Sequence, residues 1–233
     1  MRLDKFLSVT ATATRSEASK AAKAGAVTVN GAVVKKCDLH IDPERDVICF
    51  RGEPVIYRRF TYIMLNKPDG YVSATDDPRE KTVLELLPEN MARLGLFPAG
   101  RLDKNTLGLL ILTNDGETAH RLLSPKHHAE KRYAFRCDPP ITDADRAKME
   151  AGIDIGGYVT KPCHIDMSSP DCGEIILTEG KYHQIKRMLE AVGSKIVFLE
   201  RIDFAGIPLD RTLERGQWRY LSDEEIGILT SRT

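Results

Sequence analysis

The sequence carries no net charge: 34 lysines and arginines balance 34 aspartates and glutamates. It is therefore no global polycation of the kind that advertises nucleic-acid binding. The five cysteines, at positions 37, 49, 137, 163 and 172, form no C-x-x-C pair and share no metal-ligand spacing with the six histidines. That argues against a zinc site and fits a reducing cytosol. No apolar stretch approaches the length of a membrane span, and Met1-Arg2-Leu3-Asp4-Lys5 has no signal-peptide core. No G-x-G-x-x-G follows a strand and there is no G-K-S/T loop, so dinucleotide and Walker-type nucleotide sites are excluded. There is neither an internal repeat nor a low-complexity tract. A cytoplasmic, soluble protein without metal or cofactor is expected.

Charge is present, but unevenly. Residues 1–36 hold Arg2, Lys5, Arg15, Lys20, Lys23, Lys35 and Lys36 against only Asp4 and Glu17. A basic module on a neutral body is the pattern of a docking domain for an anionic partner. Leu3, Phe6 and Leu7 have helical spacing, and Thr14 with Glu17 has capping-box spacing ahead of an Ala18, Ala21, Ala22 stripe that Gly25 stops. Val27 and Val29 run into Asn30-Gly31 and then Val33-Val34, a hairpin signal. Two helices and a hairpin make a small unit over residues 1–50, followed by a linker over 51–60 that contains Arg51-Gly52-Glu53-Pro54. Arg2-Leu3-Asp4-Lys5-Phe6-Leu7, Arg15-Ser16 and Gly25-Ala26-Val27-Thr28-Val29-Asn30-Gly31 resemble the S4-type RNA-binding domain. The resemblance implies that Arg2, Lys5, Arg15, Lys20 and Lys23 contact phosphate, with affinity drawn from counterion release.

The remainder, 61–233, is expected to be one catalytic body, which could divide into two subdomains around a cleft. Strands are predicted at Tyr62–Asn66, Leu109–Leu112, Tyr133–Phe135, Glu174–Thr178 and Ile196–Ile202. Helices are predicted at Thr82–Leu87, Glu117–Leu123, Asp143–Ala151 and His183–Val192. Strands and helices intermix without a strict βαβ rhythm, which favours an α+β, mixed α/β body with a largely antiparallel sheet over a doubly wound one. Residues 100–116 are the most informative segment: a charged, turn-prone stretch holds Asp103 and leads into an apolar strand ended by Asn114-Asp115-Gly116. An aspartate in a turn commonly bonds its own backbone. Arg101, two residues earlier, suggests chemistry on a charged polymer, but this segment alone favours the turn reading, and the rest of the chain changes the balance.

Three further segments complete a constellation: Lys67-Pro68-Asp69-Gly70, Glu130-Lys131-Arg132-Tyr133 and Glu179-Gly180-Lys181-Tyr182-His183-Gln184-Ile185-Lys186-Arg187-Met188. Lys186 and Arg187 lie near a helix N-terminus, where the helix dipole disfavours cations, as though they served another group. With Gly100-Arg101-Leu102-Asp103, these strings resemble the pseudouridine synthases, most closely the ribosomal small-subunit pseudouridine synthase A type, over nearly the whole chain. The resemblance implies that Asp103 is the catalytic aspartate, Tyr133 the active-site tyrosine and Lys186 the basic partner of the aspartate. Many relatives carry arginine at that last place, so charge is kept here while bidentate pairing is lost. Arg101, Lys67, Lys131 and Arg187 are the remaining expected RNA contacts.

The implied reaction breaks uridine's N1–C1′ bond, rotates the uracil and joins C5 to C1′. It needs no hydride, phosphoryl group or hydrolytic water. The base must flip out of folded RNA, at a cost of a few kcal/mol, with Arg101 filling the gap or holding phosphate. Tyr133 would stack on the uracil near C5. The expected partner is ribosomal RNA, with 16S RNA favoured, or an assembling small ribosomal particle, bound by a monomer away from any membrane. The Tyr182–Met188 spelling and the absence of a basic tail after Trp218 lean toward the small subunit. Alternatives are a large-subunit RNA target, a noncatalytic ribosome-assembly protein, and a glycoside-type hydrolase pairing Asp103 with Asp69, Glu130 or Glu179. Lysines close to those acids in sequence favour a phosphate-friendly cleft instead.

Overall fold

Leu3, Phe6 and Leu7 are at most 1% exposed and anchor helix α1 (Leu3–Val9). Helix α2 (Arg15–Lys23) opens on a capping box in which Thr14 and Glu17 satisfy each other's backbone N–H groups. Its Ala18, Ala21 and Ala22 are buried against α1, so close approach of the two helices needs no larger side chain. Strands β1 (Val27–Val29) and β2 (Ala32–Val33) are joined by Asn30 and Gly31, both at positive φ, as a tight hairpin requires. Together with β3 (Ile48–Phe50) and β4 (Glu53–Pro54) they form a sheet in the order β2-β1-β3-β4. The structure is a computed structural model and describes residues 1–124 and 129–231. It divides into two compact units, Met1–Thr61 with Leu87–Leu96, and Tyr62–Leu86 with Phe97–Thr233.

Two expectations about boundaries need correction. The segment 51–60 is not a free linker. Arg51 and Gly52 both take left-handed φ and fold β4 back onto β3, and Tyr57 stacks on Phe6 with ring centroids 5.9 Å apart. Residues 87–96, expected in the catalytic body, group with the first unit, where Asn90 donates to the Ala11 carbonyl and a 3-10 helix spans Glu89–Leu94. The helix expected at Thr82–Leu87 is a short 3-10 turn, Val83–Leu86, with only Val83 buried; one apolar anchor cannot hold a longer helix.

In the second unit the order along the chain is β5 (Tyr62–Lys67), β6 (Phe97–Pro98), β7 (Leu107–Thr113), α3 (Gly116–Leu123), β8 (Lys131–Asp138), α4 (Asp143–Ala151), β9 (His164–Ser169), β10 (Cys172–Leu177), α5 (Gln184–Ala191), β11 (Lys195–Phe204), β12 (Ile207–Pro208), β13 (Trp218–Tyr220) and α6 (Asp223–Ser231). The sheet runs β13-β5-β7-β11-β8-β10-β9, with β6 beside β7 and β12 beside β11. Among the described residues every pairing between these strands is antiparallel except β7 with β11, so the mixed, largely antiparallel body read from the sequence is present. Strand β5 is buried throughout and β7 from its second residue on, whereas β8 buries alternate residues, among them Tyr133, Phe135 and Cys137. Continuous burial marks strands covered on both faces, and alternation a strand covered on one.

The parallel joint sets the geometry of everything near it. Lys67 pairs with Gly108, Gly108 with Arg201, and Arg201 with Tyr133, a single row across four strands. At Gly108 (φ +95°) a Cβ would lie 2.3 Å from the Arg201 carbonyl oxygen, so β7 and β11 can close only over glycine. One face of the centre is filled by Tyr62, Met64, Leu109, Ile111 and Phe204, under Ala119 and Leu122 of α3 and Leu229 of α6.

Candidate active site

The loop 101–106 enters β7 beside that joint, and its backbone is tied down from several directions. Ser73 both accepts from the Leu102 N–H and donates to the Leu102 carbonyl, at 3.0 and 2.9 Å. The Thr106 N–H bonds the Asp103 carbonyl, and the Gly70 N–H bonds that of Lys104. Beneath them Lys67 gives its three ammonium hydrogens to the carbonyls of Pro68, Lys104 and Thr106, at 3.0, 2.8 and 3.0 Å. Its side chain is 0% exposed, and burial pushes the ammonium down to about 8 against the pull of Asp69 and Asp103. Lys67 is thus a correction to the expected RNA contacts: an enclosed ammonium with every donor used cannot reach phosphate.

So held, the Asp103 carboxylate turns toward α5. Lys186 Nζ lies 2.9 Å from its Oδ2 and 2.7 Å from Asn105 Oδ1, and His183 Nε2 lies 3.6 Å from the same Oδ2. The side chains of Lys186 and Asp103 are 15% and 29% exposed. The cation disfavoured by its place in the first turn of α5 is therefore matched to a carboxylate. A cleft of about 380 Å³ opens over the pair, and Arg101, Tyr133 and the 179–184 loop also line it. Tyr133 comes from the buried face of β8 and Arg101 from the exposed start of the 101–106 loop.

A polar network fixes the 179–184 loop. Glu179 accepts from the Tyr158 hydroxyl at 2.7 Å, the Lys161 N–H at 3.0 Å and Gln184 Nε2 at 2.9 Å. Burial alone would raise its carboxyl, but these three donors outweigh it and hold the group below the usual range. Gln184, itself buried, also accepts from the Lys181 N–H. Of the acids considered as a second glycosidase carboxylate, Glu179 alone lines this cleft, and a carboxyl held ionised by three donors is a poor proton donor.

The RNA pseudouridylate synthase family model matches residues 61–191, and the S4 domain model matches residues 1–47. The chain belongs to the RNA pseudouridylate synthase family. It is 45% identical to the uncharacterized RNA pseudouridine synthase YtzG of Bacillus subtilis, over 98% of each chain. It is 40% identical to the ribosomal small subunit pseudouridine synthase A of Escherichia coli, over 97% of this chain and 99% of that one. A crystal structure of a pseudouridylate synthase superposes with a TM-score of 0.69 at 38% identity, covering 98% and 99% of the two chains.

The other expected contacts of this synthase fall into two groups. Lys5, Arg15, Lys20 and Lys23 are exposed on the first unit, while Arg2, at the N-cap of α1, makes a two-point contact with Asp4. Lys131 is half-buried: it donates to the Ala129 carbonyl, sits 5.7 Å from the Phe204 ring, and is pushed down to about 8 by burial, with Arg201 acting in the same direction. Arg187 donates to the Gly156 carbonyl at 3.4 Å and does not line the cleft. Sequence reading missed His183, Asn105 and the Glu179–Gln184–Tyr158 network. The first two stand in strings already singled out. Tyr158, more than twenty residues from Glu179, carries no such signal.

Proposed function

We propose that this synthase isomerises a uridine of small-subunit ribosomal RNA, using Asp103 as the acting carboxylate. The observation that carries the reading is the 2.9 Å pairing of Asp103 with Lys186 in a cleft that Tyr133 also lines. The everted uridine enters with its sugar over Asp103. The carboxylate acts at C1′, or takes the 2′ proton, while the N1–C1′ bond breaks. Lys186 keeps the anion in place and His183 flanks it. The uracil turns against the Tyr133 ring and C5 bonds C1′ as the carboxylate leaves that carbon, or as the 2′ proton is returned; the C5 proton then leaves and N1 gains one, so the product is an isomer. Arg101, exposed at the cleft mouth, holds phosphate or fills the space left by the base.

The exposed cations Lys5, Arg15, Lys20 and Lys23 of the first unit add sequence-independent phosphate affinity. Similarity to the small-subunit synthase of Escherichia coli across nearly the full chain supports the small-subunit target. Five free cysteines fit a cytoplasmic enzyme. The test is incubation with transcribed small-subunit RNA, large-subunit RNA and partly assembled small particles, followed by carbodiimide modification and reverse-transcription mapping. One stop in small-subunit RNA or its particle is expected, absent with Asp103→Asn. A stop in large-subunit RNA alone overturns the target, and free uracil overturns the isomerisation.

A further inference from the structure

Tyr182 lines the cleft with 75% of its surface in water, although the loop that carries it is held by hydrogen bonds through Gln184. Its ring lies on the His183 imidazole, with centroids 3.8 Å apart and planes 20° from parallel. His183 in turn reaches to 3.6 Å from Asp103. The chain is bent to make this stack: His183 takes a left-handed φ of +52° at the N-cap of α5, a conformation that costs a residue with a Cβ. Gln184 anchors the turn on both sides, through the Lys181 N–H and Glu179. The stack is therefore prearranged. One face of Tyr182 rests on His183, and its high exposure leaves the ring open to solvent.

We propose that Tyr182, backed by His183, is a stacking platform for the unpaired nucleobase next to the target uridine, and so a specificity determinant for a single-stranded neighbour. The inference rests on the reading that Asp103 receives the everted uridine. His183 connects the two sites: one edge of it flanks the carboxylate and its face supports Tyr182. Any nucleobase has a π-face, and aromatic platforms hold bases with little regard to sequence. A base still paired in a helix cannot offer that face. The platform therefore discriminates by strand state, a property that phosphate contacts lack. Lys181, the preceding residue on the same loop, carries a positive charge that lies 4.2 Å from the Tyr158 ring centroid.

The test uses the full-length Asp103→Asn protein, so that binding is read without turnover, and a substrate hairpin carrying 2-aminopurine at the position before or after the target. Stacking should quench the probe at one of the two positions, and Tyr182→Ala should abolish that quenching while weakening binding by roughly 5- to 100-fold. Tyr182→Trp should retain both. Replacing the same nucleotide by an abasic site should weaken binding to the otherwise unaltered protein by a similar factor and leave Tyr182→Ala with no further loss. Equal quenching with and without Tyr182, or additive losses from the two changes, overturns the platform. A parallel turnover assay compares Asp103 intact with Asp103→Asn: equal pseudouridine from both counts against the role of Asp103, while the quenching data still decide the role of Tyr182.

Discussion

Lys186 Nζ and Asp103 Oδ2 are 2.9 Å apart, yet their side chains come from a helix start and a loop more than eighty residues away in sequence. The helix places its cation at an end where the dipole opposes it, so the carboxylate is what makes the placement favourable. Asp103→Asn should cut turnover by on the order of 10⁴-fold while RNA affinity stays close to normal. Lys186→Met should lower both activity and stability, the latter by about 1–3 kcal/mol, since the pair lies between an exposed and a fully buried one. Lys186→Arg should recover much of both. Tritium release from 5-labelled RNA and urea melts measure the two effects.

Lys67 supports the same loop from beneath. Its ammonium is the only hydrogen-bond donor described for the carbonyls of Pro68 and Thr106, and shares that of Lys104 with the Gly70 N–H. Lys67→Met should leave carbonyls unpaired in the interior and cost about 3 kcal/mol, with kcat falling more than KM because the loop carries Asp103. Lys67→Arg should not rescue it, since a planar guanidinium cannot aim three hydrogens at this cradle. Wild-type stability in Lys67→Met would show that the cradle has no structural importance, and in Lys67→Arg that it does not require an ammonium.

The Lys67 result also shows where sequence reading runs out. The apolar periods of β5, β7, α2 and α4 are local, and those elements lie close to where they were expected. The strings around Asp103, Tyr133 and Lys186 were legible for the same reason, because each is written in contiguous residues. What could not be read is depth. Lys67 follows a strand into a turn, which looks like a solvated basic residue until β7 is laid beside β5 and covers it. Nor could sequence show that Arg51-Gly52 folds β4 into the first sheet, because turn composition marks a linker equally well. His183 was passed over for a related reason: its importance comes from a backbone angle and a neighbour far along the chain.

Tyr62 gives a pH signature. Its hydroxyl donates to Asp115, the N-cap of α3, and burial followed by that hydrogen bond pushes the phenol up to about 12. Between pH 10 and 12 the unfolded chain releases this proton while the folded chain keeps it. Unfolding is then favoured by rising pH: the stabilisation is complete below pH 10 and lost by about pH 12. Wild type should lose about 2–3 kcal/mol from this group across that window. Tyr62→Phe should lack the loss, and at pH 7 should be weaker by about 1.5–3 kcal/mol for the missing bond to a carboxylate. Denaturant melts at pH 7, 10 and 11.5 separate the two contributions.

The exposed cations of the first unit should act on affinity. Replacing Arg15, Lys20 and Lys23 together by glutamine removes three positive charges from α2 without touching its buried alanine stripe. If all three meet phosphate, the slope of log affinity against log salt should become shallower by about 3. The kinetic loss should sit mainly in KM. An unchanged slope would mean that α2 faces away from the RNA.

Gly108 provides the sharpest test of the fold that holds the site. Alanine there would be strained by its φ of +95°, and its Cβ would meet the Arg201 carbonyl oxygen at 2.3 Å and Glu200 Cγ at 2.8 Å. Backbone on β11 cannot retreat without opening the one parallel joint in the sheet, so steric cost adds to conformational cost. Gly31, at φ +80° with nothing within 4 Å of its added Cβ, isolates the conformational part. Gly31→Ala should therefore cost about 1–2 kcal/mol. Gly108→Ala should cost about 4 kcal/mol or more and take activity with it, because β7 carries the Asp103 loop and the same row of partners ends at Tyr133. Equal losses in the two variants, read from urea midpoints, would show that β7 and β11 do not need glycine to close.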